Sequence, residues 1–304
     1  MISSVRKAIY DFFMNLPEKE GLMAALKWLV FEEFNLTQQI EWHLSTCPHC
    51  EKGIDIYKDM VKTNYIFDCK FCDGNVYLTD IFRLHEAIDN ELGAGGVLGY
   101  LSTTIEQLLI VFLIKSMLEI KPALLNETLI IKDGPLAFFG QTANIYKPMR
   151  NLIQFLNNNH AVFLVGLEKS GAFVEHADAI SNRIDKKKAL IFTNQYIYKY
   201  IIPGQADESA PYGRSTYYGN KLIYKSEYDN VYVATLPSLK ALSNPTKSDL
   251  INVDVILNNI SALKCDLYYN SLVPIVMANK LVSLADHPSA DLLKHFAQDT
   301  IIEK

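Results

Sequence analysis

Four cysteines in two closely spaced pairs constrain the fold of this chain more than any other feature, because thiolates that share one ion fix the path of the chain around it. The pairs are Cys47-Pro-His-Cys50 and Cys69-Lys-Phe-Cys72, with 18 residues between them. Two CxxC pairs at this separation are typical of a tetrahedral zinc site. We therefore predict a small zinc ribbon over residues 43–78, in which Cys47, Cys50, Cys69 and Cys72 bind a structural Zn²⁺.

Other uses of a CxxC pair agree less well with the sequence. A redox pair belongs at a helix start in a thioredoxin-like unit, and disulfide bonds need an oxidising compartment. The first 15 residues carry no secretory signal. The longest apolar stretch, residues 108–118, is interrupted by Lys115 and is shorter than the roughly 20 residues that span a bilayer. We therefore expect a cytoplasmic protein with no membrane anchor.

The pattern of apolar residues divides the remaining chain into helical and mixed parts. Residues 1–42 have a helical pattern, residues 79–125 form a helical connector, and residues 126–304 alternate strands with helices. The expected fold class is α/β, with a mixed sheet flanked by helices. We also predict a helix from Thr79 through Glu91, an apolar helix over about 99–119, a Tyr-rich strand over 189–202 and a last helix over 290–301.

Two predicted apolar strands each end in an acidic residue, residues 129–133 in Asp133 and residues 161–168 in Glu168. An ionised carboxylate at the end of a buried strand needs a cation or strong donors, and two such ends side by side supply oxygen ligands. Asp133 and Glu168 therefore predict a Mg²⁺ or Mn²⁺ site for phosphodiester hydrolysis. Glu175 and Asp178, spaced i, i+3, can add carboxylates from one helix face. Lys169 can neutralise charge on the reacting phosphate. The alternative interpretation is that Asp133 and Gly134 form a turn and that the acidic residues of the helix are solvated.

Contact with nucleic acid would need local basic patches, because the net charge of −5 gives no overall attraction to a polyanion. The stretch over residues 196–225 interleaves aromatic with basic residues, which can stack on bases and bind phosphates. Its candidate DNA-binding residues are Lys199, Arg214 and Lys221. Alternating Tyr and Ile residues are equally typical of a half-buried strand.

Both acidic strand ends resemble those of a known family. Residues 132–136, Lys-Asp-Gly-Pro-Leu, are similar to the Asp-Gly-Ser strand end that begins NurA nuclease domains. Residues 165–171, Val-Gly-Leu-Glu-Lys-Ser-Gly, resemble their second acidic strand end, and residues 274–283 resemble their carboxyl-terminal helix. The resemblance covers about residues 128–300.

This resemblance implies a ribonuclease H-like fold related to Piwi domains, here preceded by the helical segment and the zinc ribbon. It also implies Mn²⁺-dependent DNA cleavage, a homodimer and a hexameric HerA-type ATPase as partner, in DNA end processing, repair or anti-phage defence. Carried over by position, Asp133 is the first metal ligand and Glu168 stands near the second acid. The family's second acid falls on Ser170, and its helix histidine falls on Asn279, a possible but poorer metal ligand.

Three hypotheses about function follow. The first is a metal-dependent DNA nuclease that works with a translocase. The second is a catalytically weakened DNA-binding subunit of the same assembly, which the departures at Ser170 and Asn279 would explain. The third is a zinc-ribbon scaffold that does not contact nucleic acid.

Overall fold

A computed structural model of the protein describes residues 2–16, 21–35, 41–88, 95–204, 210–268 and 270–282. The helices within these ranges are α1 (Ile2–Met14), α2 (Gly21–Val30), α3 (Gly95–Ile120), α4 (Tyr146–Asn159), α5 (Ala172–Ile180), α6 (Asn194–Tyr200), α7 (Val253–Ala262) and α8 (Val273–Val282). The strands are β1 (Glu41–Leu44), β2 (Ile54–Tyr57), β3 (Ile66–Asp68), β4 (Asn75–Tyr77), β5 (Leu129–Asp133), β6 (Phe163–Glu168), β7 (Lys188–Ile191), β8 (Gly219–Lys225) and β9 (Val231–Pro237).

The five later strands form one mixed sheet in the order β5-β6-β9-β8-β7. β5 and β6 are parallel, whereas β9 is antiparallel to β6 and to β8, and β7 is antiparallel to β8. A parallel pair needs a long crossover, and α4 lies in the chain segment that joins β5 to β6. The structure therefore confirms the predicted mixed α/β class.

Helices cover both faces of this sheet, because its strands direct apolar side chains to both sides. On one face, buried residues of β6, β8 and β9 pack against α7 and α8; we call it the α7 face. On the other, residues of β8 and β9 pack against α5 and α6; we call it the α5 face. The α7 face carries Leu167, Leu222 and Ala234, and the α5 face carries Ile223, Val231 and Val233.

One hydrophobic core joins the amino-terminal half of the chain to the crossover between β5 and β6. It contains Ile9 of α1, Ile54 of β2, Val111 of α3 and Leu152 of α4, which lie in the four separately predicted segments 1–42, 43–78, 79–125 and 126–304. The ribbon hairpins, β1 with β2 and β3 with β4, are thus packed into the body of the protein. The predicted boundaries separate segments that share a core.

A buried ion pair fixes α1 to the ribbon. The Arg6 guanidinium donates from Nε and Nη2 to the two carboxylate oxygens of Asp80 at 2.9 and 2.7 Å. Its Nη2 also donates to the carbonyl oxygen of Asn75 in β4 at 3.0 Å. Removal of either charged partner would leave the other charge buried without its counter-charge, which would destabilise the contact between the helix and the ribbon.

Two sequence predictions of secondary structure are wrong. The expected helix from Thr79 is a pair of 3₁₀ turns, Leu78–Phe82 and Leu84–Ala87, because Arg83 between them adopts a left-handed conformation with φ of 56°. The expected strand over 189–202 ends at Ile191, and α6 follows it. Thr193 starts that helix, since its side chain accepts a hydrogen bond from the backbone amide of Tyr196 at 3.2 Å. Glu91 and the predicted helix over 290–301 lie outside the described residues.

The apolar helix α3 is longer than the sequence analysis expected. By length and composition alone it could cross a membrane, and 39% of its most apolar window is buried. Core helices of soluble proteins, which are mostly buried, meet the same criteria of length and composition. Gln107 of α3 docks on the sheet domain, where its side-chain amide donates to the Ala137 carbonyl at 3.1 Å and its oxygen accepts from the buried Tyr218 hydroxyl. The expectation that the protein has no membrane anchor stays a prediction.

We expect Gly166→Ala to destabilise the protein by about 1–3 kcal/mol, because an added methyl group would overlap fixed backbone. A Cβ atom at Gly166 would lie 2.5 Å from the carbonyl oxygen of Gly134 and 2.9 Å from the amide of Leu136. The matched control is Gly99→Ala in α3, which meets no atom within 4 Å and should raise stability by about 0.5–1 kcal/mol. Urea unfolding measures both, and equal midpoints for Gly166→Ala and wild type would contradict the close approach.

Candidate functional site

The two predicted acidic strand ends lie side by side at one edge of the sheet. In the parallel pair of β5 and β6, Asp133 is the register partner of Leu167, so Glu168 follows directly after that position. The backbone amide of Gly134 continues the pairing by donating to the Leu167 carbonyl at 2.6 Å. The sheet therefore brings the two carboxyl-terminal strand ends together.

The two carboxylates are directed to different faces at this edge. Because successive side chains of a strand alternate, Asp133 shares the α7 face with Leu167, while Glu168 belongs to the α5 face. Each carboxylate is paired with its own lysine. Asp133 Oδ2 lies 2.6 Å from Lys169 Nζ, and the two oxygens of Glu168 lie 2.7 and 2.9 Å from Lys221 Nζ. This register does not support a single ion bridged directly between Asp133 and Glu168.

Lys221 is a buried residue of β8, and the prediction that it contacts DNA is therefore wrong. Its exposed fraction is 5%. Burial lowers the pKa of Lys221 from its usual value, and the Glu168 carboxylate opposes that decrease. An ammonium group in this position cannot reach a phosphate of a bound polymer.

A cavity of about 520 Å³ opens at the carboxyl end of β6, between α5 and α8. Its floor is apolar and includes Val174, Ala177 and Val233. Its oxygen-bearing and cationic lining residues are Glu168, Lys169, Asp178, Tyr268, Asn270, Ser271, Asn279 and Lys280. A concave site that combines apolar lining with convergent polar groups is a common form of ligand site.

The structure therefore brings together some predicted site residues and leaves others apart. Glu168, Lys169 and the possible ligand Asn279 share the cavity, and Asp133 is joined to it through Lys169. Glu175 is exposed on α5 and does not line the cavity, whereas Asp178, three residues later, does. The sequence placed Glu175 and Asp178 together on one helix face toward the site, and the structure brings only Asp178 to the cavity.

Lys199 and Arg214, the other two candidate DNA contacts, are exposed. Lys199 lies on α6, where its Nζ is 5.0 Å from the ring centroid of Tyr200, which is itself half exposed. An accessible aromatic ring beside a lysine is compatible with stacking on a base. Neither Lys199 nor Arg214 lines the cavity at the end of β6.

The four cysteines of the ribbon form a compact cluster, as their spacing predicts. Their sulfur atoms all lie within 4.8 Å of one another, so they could bind a structural metal such as zinc. The two knuckles have the same local geometry: the amides of His49 and Phe71 each donate to the first cysteine sulfur of their own knuckle at 3.5 Å. Within the described ranges, this is the single cluster of three or more His, Cys, Asp or Glu residues close enough to bind an ion.

Two backbone conformations and the pKa of one thiol favour cation binding at the cluster. Glu51 and Asp73 adopt left-handed conformations directly after the second cysteine of each knuckle, with φ of 62° and 53°, which turns the chain back toward the first. Burial tends to raise the pKa of Cys69. The amide of Phe71 and the neighbouring thiols outweigh that effect and lower it to about 7.

Comparison of the chain with protein-family models, with curated proteins and with solved structures found no match.

We expect the purified protein to hold about one metal ion, zinc, per chain, and Cys47→Ser to abolish that binding. Thiolates must lose their protons to bind a metal, so acidification through the range below pH 7 should release it. Elemental analysis after dialysis at a series of pH values measures both effects. Cys265→Ser is the control, because Cys265 is buried outside the cluster. A metal content that Cys47→Ser leaves unchanged would contradict the site.

Proposed function

We propose that this protein is a metal-dependent DNA nuclease that hydrolyses phosphodiester bonds at the carboxyl end of β6, and that its ribbon holds a structural zinc ion. The observation that carries the proposal is the cavity at the end of the parallel pair. There, Glu168, Asp178 and Asn279 offer oxygen donors beside Lys169.

The donor set of the cavity fits a hard divalent cation. Mg²⁺ and Mn²⁺ take oxygen ligands, and Mg²⁺ is commonly bound through one or two protein carboxylates together with water and substrate phosphate. Glu168 and Asp178 supply the carboxylates, and Asn279 supplies an amide oxygen. When bound, such an ion would activate water and stabilise the leaving oxygen. A site of this kind needs no cage of three acidic residues.

Lys169 and Asp133 have distinct parts in the proposed reaction. Lys169 is 38% exposed and lines the cavity, so its ammonium group can turn to a phosphate and neutralise the charge that develops there. Asp133 pairs with that ammonium group and orients it. The role of Asp133 as first metal ligand, which the NurA resemblance implies, stays a proposal beside this one.

Further parts of the proposal follow from the NurA resemblance. They are a ribonuclease H-like arrangement of the sheet, a homodimer, a hexameric HerA-type ATPase as partner, a cytoplasmic location and a role in DNA end processing, repair or defence. The mixed sheet with its acidic strand ends at one edge is compatible with that arrangement.

A second candidate function is DNA binding without cleavage, as a subunit of the same assembly. The ion pairs of the two carboxylates favour this function. Lys221 contacts both oxygens of Glu168, and Lys169 forms an ion pair with Asp133. A carboxylate already neutralised by an ammonium group attracts a metal ion less strongly. The exposed Lys199 and Arg214 would then supply the phosphate contacts.

We expect Mn²⁺-dependent cleavage of DNA by the wild-type protein and a loss of at least about 10-fold in rate for Glu168→Gln and Asp178→Asn, because each removes a proposed ligand. Glu175→Gln is the matched control. Glu175 lies on α5, as Asp178 does, but outside the cavity, and the cleavage rate of this variant should stay near wild type. Single-turnover cleavage of end-labelled single-stranded and duplex DNA measures the rates.

The outcomes separate the two candidate functions. Equal cleavage by wild type and both ligand variants would place the reaction elsewhere and reject the proposed site. No cleavage by wild type, together with DNA binding that weakens steeply as salt rises, would support the binding subunit. If the protein neither cleaves DNA nor binds it in a salt-dependent way, the scaffold hypothesis remains.

A further inference from the structure

We propose that metal binding by the four-cysteine cluster controls the docking of α1, and that Arg6 and His49 connect the two. The coupling depends on the zinc ion proposed for the ribbon and is independent of DNA cleavage. The cluster fits a structural ion, because its four sulfur atoms converge within 4.8 Å of one another.

One backbone carbonyl joins α1 to both knuckles of the ribbon. Asn75 begins β4 shortly after the second knuckle, and its carbonyl oxygen accepts from Arg6 Nη2 at 3.0 Å and from His49 Nε2 at 2.8 Å. A carbonyl oxygen only accepts, so His49 carries its ring hydrogen on Nε2 in this bond. His49 belongs to the first knuckle, and Arg6 belongs to α1. We call Arg6, His49 and Asn75 the α1 junction.

Two short links attach the α1 junction to the metal-binding cysteines. The backbone amide of His49 donates to the sulfur of Cys47 at 3.5 Å. On the other side, the carbonyl of Gly74, next to Asn75, accepts from the amide of Cys69 at 3.0 Å. The His49 ring also rests on Gly74, where an added Cβ would lie 2.7 Å from His49 Cδ2. An ion that fixes the four sulfur atoms therefore also fixes His49 and Asn75 relative to each other.

The docking of α1 depends on these positions because Arg6 is buried. Its side chain is 3% exposed, and that of its partner Asp80 is 2% exposed. Asp80 is held in turn by β4, since its Oδ2 accepts from the amide of Tyr77 at 2.8 Å. The Tyr10 ring of α1 stacks on the Tyr77 ring, with centroids 4.5 Å apart. A shift of β4 would separate a buried guanidinium from its acceptors, which is costly, so α1 would leave the ribbon.

Coupling of this kind acts in both directions. If a bound ion favours the docked form of α1, docked α1 must strengthen ion binding by the same factor. Groups that orient metal ligands from outside commonly change metal affinity by about 10–100-fold. The amino-terminal helix therefore responds to the metal content of the ribbon, and the metal content responds to the helix.

Hydrogen exchange of the whole protein tests the first direction. We expect removal of zinc by a chelator to speed exchange of the α1 amides by about 5–150-fold, the usual range of coupling between two sites. α7 is the internal control, because its buried residues pack in the separate core of the α7 face. In His49→Ala, which keeps all four cysteines, α1 of the zinc-loaded protein should already exchange faster than in wild type.

Zinc affinity, measured by competition with a fluorescent chelator, tests the second direction. We expect Arg6→Met to weaken zinc binding by about 10–100-fold. Lys7→Met is the matched control in α1, because Lys7 is exposed and pairs with Asp11 of the same helix. His43→Ala is the control in the ribbon, because this exposed histidine pairs with Asp55 and lies outside the α1 junction. Both controls should bind zinc as wild type does.

His49→Ala replaces Arg6→Met if Arg6→Met does not fold, because it leaves the buried ion pair of Arg6 in place. Zinc affinity equal to wild type in every folded variant of Arg6 and His49 would overturn the coupling. Exchange in α1 that zinc removal leaves unchanged would also overturn it, as would an equal increase in α7, since the whole chain would then unfold.

The failure of this coupling is distinguishable from failure of the proposed function. A wild-type protein that binds no zinc would overturn both the coupling and the proposed structural metal site. Zinc binding with faster α1 exchange after its removal, but without any DNA cleavage, would uphold the coupling and reject the proposed nuclease.

Discussion

The parallel pairing of β5 with β6 is the constraint on which the rest of the structure depends. Two parallel neighbours cannot be joined by a tight turn, so the chain must leave the sheet and return. α4 lies in that crossover, and Leu152 of α4 belongs to the same core as α1, α3 and the ribbon. Gly166 lets the chain after β5 pass close over β6, which brings both strand ends to one edge. The amino-terminal half is therefore packed on the connection that this pairing requires.

Three acidic groups near that edge are each matched by a lysine from another part of the chain. Glu106 of α3 pairs with the buried Lys132 at 2.8 Å, Asp133 pairs with Lys169, and Glu168 pairs with Lys221. The pairs differ in burial and therefore in what each can do. The pair of Asp133 and Lys169 is open to solvent, whereas the two buried ammonium groups fix the ends of β5 and β6.

Local sequence patterns predicted local structure well and long-range pairing poorly. The cysteine spacing predicted the cluster because both knuckles are short, and the apolar runs predicted β5 and β6. The α6 helix was missed because alternating Tyr and Ile residues also suit a strand, and a single capping residue, Thr193, decides between the two. Lys221 was taken for a DNA contact because its partner Glu168 lies 53 residues away, and only the register across β9 shows which face they share.

The sharing of one core between the ribbon and the body has a consequence for biogenesis. A small metal-bound ribbon owes most of its folding free energy to its ion. Here its buried residues, among them Ile54 and Phe67, pack in the core that also contains α1 and α3, and Arg6 ties α1 to Asp80 beside the ribbon. A chain synthesised under metal starvation would therefore lack part of its core as well as its ribbon. Quality-control proteases degrade such incompletely folded chains. Metal supply would therefore affect how many folded molecules a cell accumulates.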